Sequence, residues 1–463
     1  MNVQSRRPGA GDRPVGYALS GAAGGFARTL LAQTRLIPAL TPAVLCDVDV
    51  PRLHELCLEL GYAPEELHTC TDAEQTAAAT AAGHIALVAD QDLLGAGQWD
   101  VLVEATGSPA HGHAMARAAL TSGRHVAMVS KEVDSVAGLQ LARLAADHDV
   151  VYAPAEGDQP GNLIRLLDWA RLLGMDVVAI GKSSEYDLVY DPATETVTQL
   201  DRTVSAPALG DLLTLGDDVR GTLAARAEAV AALPTGATAD YCEMAVVANN
   251  TGYRPDVERL HYPVARIAEL ADIYSLREHG GLLHETGAVD VFSALRLPDE
   301  ASFAGGEFVV LRTNDAETWR ILAEKGHVVS RDGRYATVYL PYHLMGVETP
   351  ATLLAIAAHG RTPDASPPGR HAVLAGRARA DLAAGTVLDM GGHHHDVTGV
   401  QAVLLRDEDA PADVAPLYLA AHAALGRDVA AGGLITLSDL ENPDSALVEA
   451  WELGGEWARE VAR

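Results

Sequence analysis

The sequence predicts an α/β protein that begins with a doubly wound parallel sheet and continues into an α+β domain and a small β-rich domain. Three observations carry this prediction. Short apolar runs alternate with helical patterns in the first part of the chain, strands and helices are mixed in the middle part, and a turn motif is repeated near the carboxyl terminus. At 463 residues, the chain exceeds what one hydrophobic core usually organises, so we expect several domains.

The first domain is placed at residues 1–150. Its candidate strands, each short and apolar, are residues 15–20, 43–46, 85–88, 101–105 and 125–129. The stretches between them are rich in alanine and leucine, and the one after Pro109 stops at Gly123, a residue type that commonly ends a helix. Repeated strand and helix units of this kind predict a parallel sheet with helices on both faces.

The second domain is placed at residues 151–360 and the third at residues 366–463. Candidate strands at 151–153, 177–180, 308–311 and 336–340 alternate with helices, which indicates an α+β domain for substrate binding and dimerisation, with its last helix free to pack back on the first domain. A linker rich in proline precedes the third domain at 361–369. There, Asp381-Leu-Ala-Ala-Gly385 returns as Asp428-Val-Ala-Ala-Gly432, which predicts two similar turns in a β-rich fold.

Composition and charge exclude several classes of function. The chain has 63 acidic and 34 basic side chains, and its net charge of -29 would repel a nucleic-acid backbone. No apolar run reaches the length of a membrane span, and the amino terminus lacks the apolar stretch of a signal peptide, so we expect a cytoplasmic protein without a membrane partner. The four cysteines lack paired metal-type spacing and are expected to be reduced and buried.

The loop after the first candidate strand has the features of a dinucleotide-binding turn. It reads Gly21-Ala-Ala-Gly-Gly-Phe26 and leads directly into a helix, whose positive amino terminus would hold a pyrophosphate. Gly21 matches the first glycine of the G-x-G-x-x-G pattern, Ala23 stands at the second, and Gly24 with Gly25 could shift the register by one. We assign five residues of this loop to the cofactor site: Gly21, Ala23, Gly24, Gly25 and Phe26. The alternative interpretation is a purely structural turn.

Asp47 follows the next strand, 26 residues after Gly21. In dinucleotide-binding domains the carboxylate that binds the adenosine ribose hydroxyls lies about 20 residues after the glycine motif, so Asp47 is close to the expected place. A carboxylate at this place repels a 2′-phosphate, so NAD is slightly preferred to NADP. Arg28 and Arg52 keep NADP open as a cofactor. The alternative interpretation of Asp47 is a helix N-cap.

Two later strands are followed by Thr106-Gly107 and by Ser130-Lys131. Ligands of open α/β sheets bind outside the carboxyl ends of the strands, so we assign these four residues to the cofactor site. Gly107 would let the backbone approach the nicotinamide ribose. Lys131 could hold a substrate oxygen or phosphate or transfer a proton, and a solvated loop lysine is the alternative.

Candidates for the chemistry lie beyond the first domain. Lys182 directly follows an apolar strand and is the first candidate for a catalytic cation or general acid. Asp158 precedes a helix whose amino terminus could bind an anionic group, although simple capping would look the same. His343 has the side-chain type that changes charge near neutral pH, with a structural role as the alternative. Glu243 is placed before or at the start of a helix that ends at Gly252. Its side chain could face the cleft in which the substrate would bind.

The run His393-His394-His395-Asp396 has the composition of a metal-binding tract. Adjacent residues on a strand point to opposite faces, so these side chains do not converge on one ion without a sharp bend. We therefore predict no metal site in the chain.

These motifs together resemble a known family. The segments that carry the resemblance are Val103-Glu-Ala-Thr-Gly107, Gly157-Asp-Gln-Pro160, Asp168-Trp-Ala-Arg171, Gly181-Lys182, Glu243-Met-Ala, Ala248-Asn-Asn-Thr-Gly252, Pro341-Tyr-His-Leu344 and the two Asp-x-Ala-Ala-Gly turns. They are similar to homoserine-dehydrogenase-like oxidoreductases with a carboxyl-terminal SAF domain, a group that includes the DXR-like (DRL) reductoisomerases. The resemblance extends over nearly the whole chain, from about Val15 to Val448.

The resemblance implies a Rossmann-type NAD(P)-dependent oxidoreductase or oxidoisomerase that acts on CH-OH groups. Its substrate would be a small polyhydroxylated carbonyl compound or alcohol, with or without a phosphate. DRL enzymes convert 1-deoxy-D-xylulose 5-phosphate into methylerythritol 4-phosphate with NADPH. A homodimer or homotetramer is the usual assembly of such enzymes.

In the resulting hypothesis the nicotinamide lies between Gly107 and Lys131. Lys182 polarises the reacting oxygen, His343 assists proton transfer and the helix at Asp158 holds the anionic end of the substrate. Two alternatives keep the fold and change the chemistry. One is a lyase or isomerase that retains and recycles NAD, and the other is a non-catalytic nucleotide sensor.

Overall fold

The computed structural model describes residues 13–359, 368–392 and 395–461. The chain divides into two compact units, each assembled from separate segments. The first unit comprises Met1–Gly161, Leu344–Arg370 and Asn442–Arg463, and the second comprises Asn162–His343 and His371–Glu441. Most of the linker expected at 361–369 lies outside the described residues, as do His393 and His394 of the histidine run.

A seven-stranded sheet forms the centre of the first unit. Its strands are β1 (Val15–Ser20), β2 (Leu40–Cys46), β3 (Leu67–Thr69), β4 (Ile85–Val88), β5 (Val101–Glu104), β6 (His125–Met128) and β7 (Tyr152–Pro154). The helices of this part are α1 (Gly25–Thr34), α2 (Val50–Glu59), α3 (Ala73–Ala81), α4 (Pro109–Thr121) and α5 (Lys131–Asp147). The next helix, α6 (Gln159–Leu172), begins in the first unit and belongs mostly to the second. The five strands expected in the first domain are all confirmed. β3 was not expected, because its three residues include a single buried side chain and show no apolar pattern.

The strand order is β3-β4-β2-β1-β5-β6-β7, and every neighbouring pair is parallel. β1 is buried along its whole length, as expected for a sheet that is covered on both faces. Its side chains alternate between two cores, with Tyr17 and Leu19 in one and Ala18 in the other. This is the predicted Rossmann-type sheet, and its strand order reverses between β1 and β5, where ligands of such sheets bind.

The second unit contains a mixed sheet. Its strands are β8 (Asp176–Ser183), β9 (Leu188–Asp191), β10 (Thr196–Gln199), β11 (Arg202–Ser205), β12 (Arg254–Pro255), β13 (Val264–Ala265), β14 (Ala288–Arg296), β15 (Glu307–Arg312), β16 (Val328–Val329) and β17 (Tyr335–Leu340). The helices are α7 (Val219–Ala229), α8 (Thr238–Thr251), α9 (Leu270–Ile273) and α10 (Ala316–Glu324). β8 pairs in parallel with β14 and antiparallel with β15, which confirms the α+β character of this part.

The rest of the chain is rich in short elements. In chain order they are α11 (Thr349–His359), β18 (Ala372–Ala378), β19 (Met390–Gly391), β20 (Asp396–Val397), β21 (Val400–Arg406), α12 (Leu417–Ala420), β22 (Ala424–Leu425), β23 (Leu440–Glu441) and α13 (Ser445–Val461). β18 and β21 form an antiparallel pair over seven residues, which is the longest ladder of this part. The strands β18–β23 belong to the second unit and form the expected β-rich portion.

The internal repeat forms two turns that bind each other. Asp381 accepts a hydrogen bond from the backbone N–H of Ala431 (2.8 Å), and Asp428 accepts one from the backbone N–H of Ala384 (2.8 Å). The backbones of Leu382 and Val429 exchange two hydrogen bonds of 2.8 Å between the same segments. Each copy therefore stabilises the turn of the other copy, which explains why the motif occurs twice.

Two helices from late in the sequence complete the first unit. α11 contacts α1, β1 and β6 and adds Leu353 and Ile356 to one core, as the sequence allowed for the last helix before the linker. α13 packs along α5 and α4 and places Ala450 in the other core. The sequence predicted three consecutive domains, whereas the structure has two units with interleaved segments. The apolar face of α13 is visible in the sequence, but the surface that it covers is not.

Candidate functional site

The glycine loop at the carboxyl end of β1 has the geometry of an anion-binding turn. Gly21 has a left-handed backbone conformation (φ 66°), and a Cβ atom there would lie 2.4 Å from the carbonyl oxygen of Ala105, so only glycine fits. Gly24 occupies the N-cap position of α1 without a side chain to cap it, and the first turn of α1 contains no acidic residue. Exposed N–H groups at a helix start bind phosphate oxygens well, so this loop fits a pyrophosphate.

The other residues assigned to this loop surround the start of α1. Gly25 is exposed and is the first residue of α1, and Phe26 is partly buried against the core. A Cβ atom at Gly25 would approach only the Cε atom of Met345, at 4.0 Å. The start of this helix therefore has space for a bound group.

Asp47 follows β2 and binds the glycine loop directly. Its Oδ2 atom accepts a hydrogen bond from the backbone N–H of Ala23 (2.9 Å), and its Oδ1 atom accepts one from Asp49 (3.0 Å). The N-cap of α2 is Asp49, whose side chain accepts a hydrogen bond from the N–H of Arg52, so Asp47 is not the cap of this helix. Asp47 thus stabilises the loop, and its assignment to the adenosine ribose stays a prediction.

Two arginines close to this loop share one carboxylate. Arg28 of α1 lies 2.7 Å from Glu59, and Arg52 of α2 lies 3.0 Å from the other oxygen of the same side chain. Arg52 also lies 3.6 Å from Glu55. All of these side chains are exposed, so the ion pairs are weak and open to exchange with solvent ions.

The loops after β5 and β6 are joined by hydrogen bonds. The backbone N–H of Gly107 donates to Ser130 Oγ (2.8 Å). Thr106 donates from both its N–H and its hydroxyl group to Glu104, at 3.0 and 2.6 Å. Lys131 is the first residue of α5 and is partly buried. The four residues predicted here therefore lie at the carboxyl edge of the first sheet, on the same edge as the glycine loop.

The segment before α6 is also fixed within the first unit. Gly157 is left-handed (φ 85°), and its carbonyl oxygen accepts a hydrogen bond from the N–H of Gly346 (3.1 Å). The Thr349 hydroxyl donates to the carbonyl oxygen of Glu156 (2.7 Å), and the N–H of Glu156 donates to Thr352 (2.9 Å). Asp158 lies directly before α6 and is partly buried, as expected for a residue at a helix start.

The second unit contains a buried charged cluster around Lys182. The Lys182 ammonium lies 2.8 Å from Asp240 and forms a second ion pair with Glu243, and all three side chains are at most 4% exposed. Burial alone would lower the pKa of Lys182, but the two carboxylates raise it above its ordinary value. Lys182 therefore stays charged near neutral pH, which suits a fixed cation better than a general acid.

The neighbours of this cluster come from α8, a loop and β15. Asp240 also accepts hydrogen bonds from the Tyr262 hydroxyl (3.1 Å) and from the N–H of Ala237 (3.1 Å). Glu307 is fully buried and stands opposite Lys182 in the pairing of β15 with β8, so the two side chains point to the same face of the sheet. The two ion pairs of Lys182 and its cross-strand neighbour Glu307 thus all involve acidic residues.

Sequence reasoning placed Glu243 before or at the start of its helix, whereas α8 begins at Thr238 and Glu243 lies in its interior. Gly252 caps the helix in a left-handed conformation, as predicted. Asp240 was missed, although its spacing of three residues from Glu243 places both side chains on one helix face. The apolar residues around this pair hid that signal.

His343 follows β17 and lies near the end of β8 that carries Lys182. Its Nδ1 atom is 3.1 Å from the carbonyl oxygen of Gly305, and the next residue, Gly306, accepts a hydrogen bond from the N–H of Ser183 (2.8 Å). The side chain is partly buried. Two of the predicted catalytic residues, Lys182 and His343, therefore lie at one end of the sheet in the second unit.

A second buried ion cluster lies around His261. Its Nδ1 atom pairs with Asp290, and its Nε2 atom lies 3.3 Å from Asp256, which in turn accepts a hydrogen bond from His284 (2.8 Å). Burial would lower the pKa of His261, but Asp290 and Asp256 raise it to about 10. Burial would raise the pKa of Asp256, but His261 and His284 lower it to about 2. This cluster is therefore a permanent ion network at neutral pH.

Within the described ranges, no group of three or more His, Cys, Asp and Glu side chains has the arrangement of a metal site. In the same ranges, no helix is long and apolar enough to cross a bilayer. The four cysteines are all buried and free, as expected from their spacing.

Comparison with known proteins identifies an oxidoreductase domain in the chain. The family model described as "Oxidoreductase DRL, catalytic domain" matches residues 157–349, which is less than half of the sequence. The match supports the DRL part of the resemblance inferred from the motifs. No curated protein matches the sequence.

Solved structures similar to this chain are distant in sequence. A probable dehydrogenase from Thermotoga maritima is 12% identical, with 76% of this chain and 91% of that chain covered and a TM-score of 0.39. The 1-deoxy-D-xylulose 5-phosphate reductoisomerase from Zymomonas mobilis, solved with NADPH, is 20% identical, with coverage of 37% and 46% and a TM-score of 0.28. A dehydrogenase from Chromobacterium violaceum is 14% identical, with coverage of 39% and 47% and a TM-score of 0.28. The chain thus spans about half the length of some of these proteins.

Proposed function

We propose that the protein is an NAD(P)-dependent oxidoreductase or oxidoisomerase that acts on CH-OH groups. The substrate is a small polyhydroxylated carbonyl compound or alcohol, with or without a phosphate. The observation that carries the proposal is the uncapped start of α1 at the carboxyl edge of a parallel sheet, in a chain with an oxidoreductase domain match.

In this proposal the first unit binds the dinucleotide. The N–H groups at the start of α1 hold the pyrophosphate, and Asp47 faces the adenosine ribose. Thr106, Gly107 and Ser130 line the nicotinamide half. A bound nicotinamide supplies hydride transfer, and the chain supplies binding and orientation.

Two residues of the second unit, Lys182 and His343, are assigned to the reaction itself. Lys182 acts as a fixed cation that polarises the reacting oxygen, because its two carboxylate partners keep it charged. His343 moves the proton to or from that oxygen. Lys131 and the start of α6 at Asp158 are assigned to the oxygen or phosphate groups of the substrate.

The cofactor preference is assigned to NAD over NADP. Asp47 carries a negative charge that repels a 2′-phosphate. Arg28 and Arg52, the two cations that could attract that phosphate, are both paired with Glu59. We therefore expect tighter binding of NADH than of NADPH.

The first test is a fluorescence titration of nucleotide-stripped protein with NADH and, separately, NADPH. Saturable binding supports the glycine loop as a working site, and the failure of both nucleotides to bind ends the oxidoreductase proposal. Screening polyhydroxylated carbonyl compounds with the tighter nucleotide then identifies the substrate. Copurified NAD without net nicotinamide turnover would instead indicate an enzyme that recycles its cofactor.

The roles in the second unit are tested with Lys182→Ala and His343→Gln. Both variants should retain the parent dissociation constant for NADH while the turnover number falls by roughly 100-fold or more. His343→Gln is the better control for folding, because His343 is partly exposed and not part of the buried ion cluster. Normal turnover in either folded variant removes that residue from the mechanism.

A further inference from the structure

Glu104 is a fully buried acidic residue that none of the roles above uses. It is the last residue of β5, directly opposite Ser20 of β1 at the point where the strand order reverses. A buried carboxyl group costs several kcal/mol unless polar partners compensate. The partners of Glu104 therefore indicate what this group holds in place.

One oxygen of Glu104 joins the loops after β1 and β5. Its Oε1 atom accepts hydrogen bonds from the hydroxyl group of Ser20 (3.3 Å) and from the N–H and hydroxyl groups of Thr106 (3.0 and 2.6 Å). Ser20 directly precedes the glycine loop, and Thr106 directly precedes Gly107. The glycine loop and the Thr106-Gly107 loop are thus bound to the same atom.

The loop after β6 is attached to the same residue. The backbone N–H groups of Val129 and Ser130 donate to the carbonyl oxygen of Glu104, at 2.9 and 3.2 Å. Burial raises the pKa of Glu104, and the hydroxyl groups of Ser130 and Thr106 partly oppose that rise. All three loops that carry the assigned nucleotide ligands of this edge therefore converge on Glu104.

Gly112 of the neighbouring helix α4 leaves room for this carboxyl group and for Val133 of α5. A Cβ atom at Gly112 would lie 2.5 Å from Val133 Cγ2, 2.8 Å from the Cδ atom of Glu104 and 2.9 Å from its Oε2 atom. A glycine inside a helix lowers stability by about 1 kcal/mol relative to alanine, so the space beside Gly112 is kept at the expense of the stability of α4. Within the described residues, Oε2 has no hydrogen-bond partner, so the side-chain bonds to Ser20 and Thr106 are made through Oε1.

We propose that Glu104 is a positioning residue for the nucleotide site. Through Oε1 it fixes the relative positions of the loops that contain Gly21 and Gly107. Its backbone carbonyl oxygen holds the loop that contains Ser130 beside them. Because Glu104 is fully buried, it acts through these loops and not by contact with the nucleotide. The inference rests on the proposed function, since it takes these loops to hold a dinucleotide.

The test compares NADH dissociation constants of the full-length parent and three variants. Glu104→Leu removes the acceptor and should weaken binding roughly 10- to 100-fold, since small displacements of binding groups have effects of this size. Glu104→Gln keeps an oxygen acceptor and should recover only part of the affinity that Glu104→Leu loses. Val101→Ala is the control, because Val101 is fully buried at the opposite end of the same strand. It should lose stability while keeping the parent affinity.

A double-mutant cycle tests whether Glu104 acts through Thr106. Thr106→Val and Glu104→Gln should each weaken binding, and their combination should cost less than the two effects together. Additive effects overturn the proposal, as do unchanged affinity in folded Glu104→Leu or an equal loss in Val101→Ala. If Glu104→Leu does not fold, the cycle with Glu104→Gln decides. A parent protein that binds neither NADH nor NADPH refutes the proposed function itself, which separates that failure from this one.

Discussion

Two buried carboxyl groups of the first unit, those of Glu104 and Asp134, are held by neutral donors. Glu104 accepts hydrogen bonds from Ser20 and Thr106, and Asp134 of α5 accepts one from the Tyr152 hydroxyl (2.6 Å). Burial raises the pKa of both groups, and that of Asp134 reaches about 6 although the hydrogen bond from Tyr152 opposes the rise. These carboxyl groups thus lie in surroundings that favour the uncharged form.

Four buried carboxyl groups of the second unit are paired with cations. Asp240 and Glu243 lie beside Lys182, and Asp256 and Asp290 lie beside His261. The pKa of Lys182 and that of His261 are both raised by these partners, so the charges persist at neutral pH. Full charges are therefore retained in the interior of this unit.

The difference matches the two tasks proposed for the units. Neutral hydroxyl and N–H donors hold the buried carboxyl group of Glu104 at the edge that is proposed to receive a pyrophosphate. A group that polarises a substrate oxygen has to carry a charge that does not titrate away. The proposed binding edge and the proposed catalytic cluster thus differ in the partners of these buried carboxyl groups, and this contrast can be tested on each side.

The largest effect is expected from His261→Gln, which removes the cation between Asp256 and Asp290. We expect a loss of about 2–4 kcal/mol in the free energy of unfolding at pH 7, because two buried carboxylates lose their charged partner. The raised pKa of His261 means that its contribution is complete below about pH 6.5 and is lost as the pH rises through about 10. The difference between parent and variant should therefore shrink at high pH.

Denaturant unfolding at pH 7 and near pH 10 measures this difference. His327→Gln is the matched control, because His327 is an exposed histidine of the same unit. It should change the stability by less than about 0.5 kcal/mol at either pH. A constant difference between parent and His261→Gln across this range would show that the network is not ionised as described.

A smaller effect of opposite sign is expected from Asp134→Asn. The folded-state pKa of Asp134 is about 6 and exceeds its ordinary value of 3.8. Ionisation of the carboxyl group therefore begins to reduce stability as the pH rises above 3.8, and the reduction is complete above about pH 6. Asparagine can still accept the hydrogen bond from Tyr152 and carries no charge. The variant should be more stable than the parent by about 1–2 kcal/mol at pH 8 and by less at pH 5.

Thermal or denaturant unfolding at both pH values checks this prediction. Asp147→Asn, an exposed aspartate at the end of the same helix, should show no comparable gain. A loss of stability in Asp134→Asn at pH 8 would mean that Asp134 is held by charge after all. The first unit would then resemble the second unit in holding a buried carboxyl group by charge.

The fold was largely predictable because burial leaves a periodic pattern in the sequence. β1, β5 and β6 are continuous apolar runs that end in polar loops, and such runs identify strands of a covered parallel sheet. The interleaving of the two units was not predictable. Whether α13 covers the sheet of the first unit or a nearer surface depends on contacts between residues far apart in sequence.

The site was predictable where backbone geometry dictates the residue type. Gly21 could be found because its close approach to Ala105 admits no side chain. Glu104 and Asp240 were missed, because a single acidic residue in an apolar run looks the same whether its partners are hydroxyl groups or a lysine. Partners in space, such as Lys182 for Asp240, become visible only in the folded chain.

The smallest effect is expected from Glu59→Gln, which changes exposed charges at the nucleotide edge. Arg28 and Arg52 each lose their ion pair with Glu59, while Arg52 keeps Glu55 at 3.6 Å, and both can then attract a 2′-phosphate more strongly. Exposed ion pairs contribute little, so the ratio of NADPH to NADH affinity should rise only about two- to five-fold. Titrations with both nucleotides at low and high salt measure this ratio, and screening should reduce the gain at high salt.

Glu74→Gln serves as the control, since Glu74 is exposed on α3 of the same unit. An unchanged ratio would leave Asp47 as the residue that sets the preference. A rise well above five-fold would show that these exposed charges affect the choice of nucleotide more strongly than exposed ion pairs usually do.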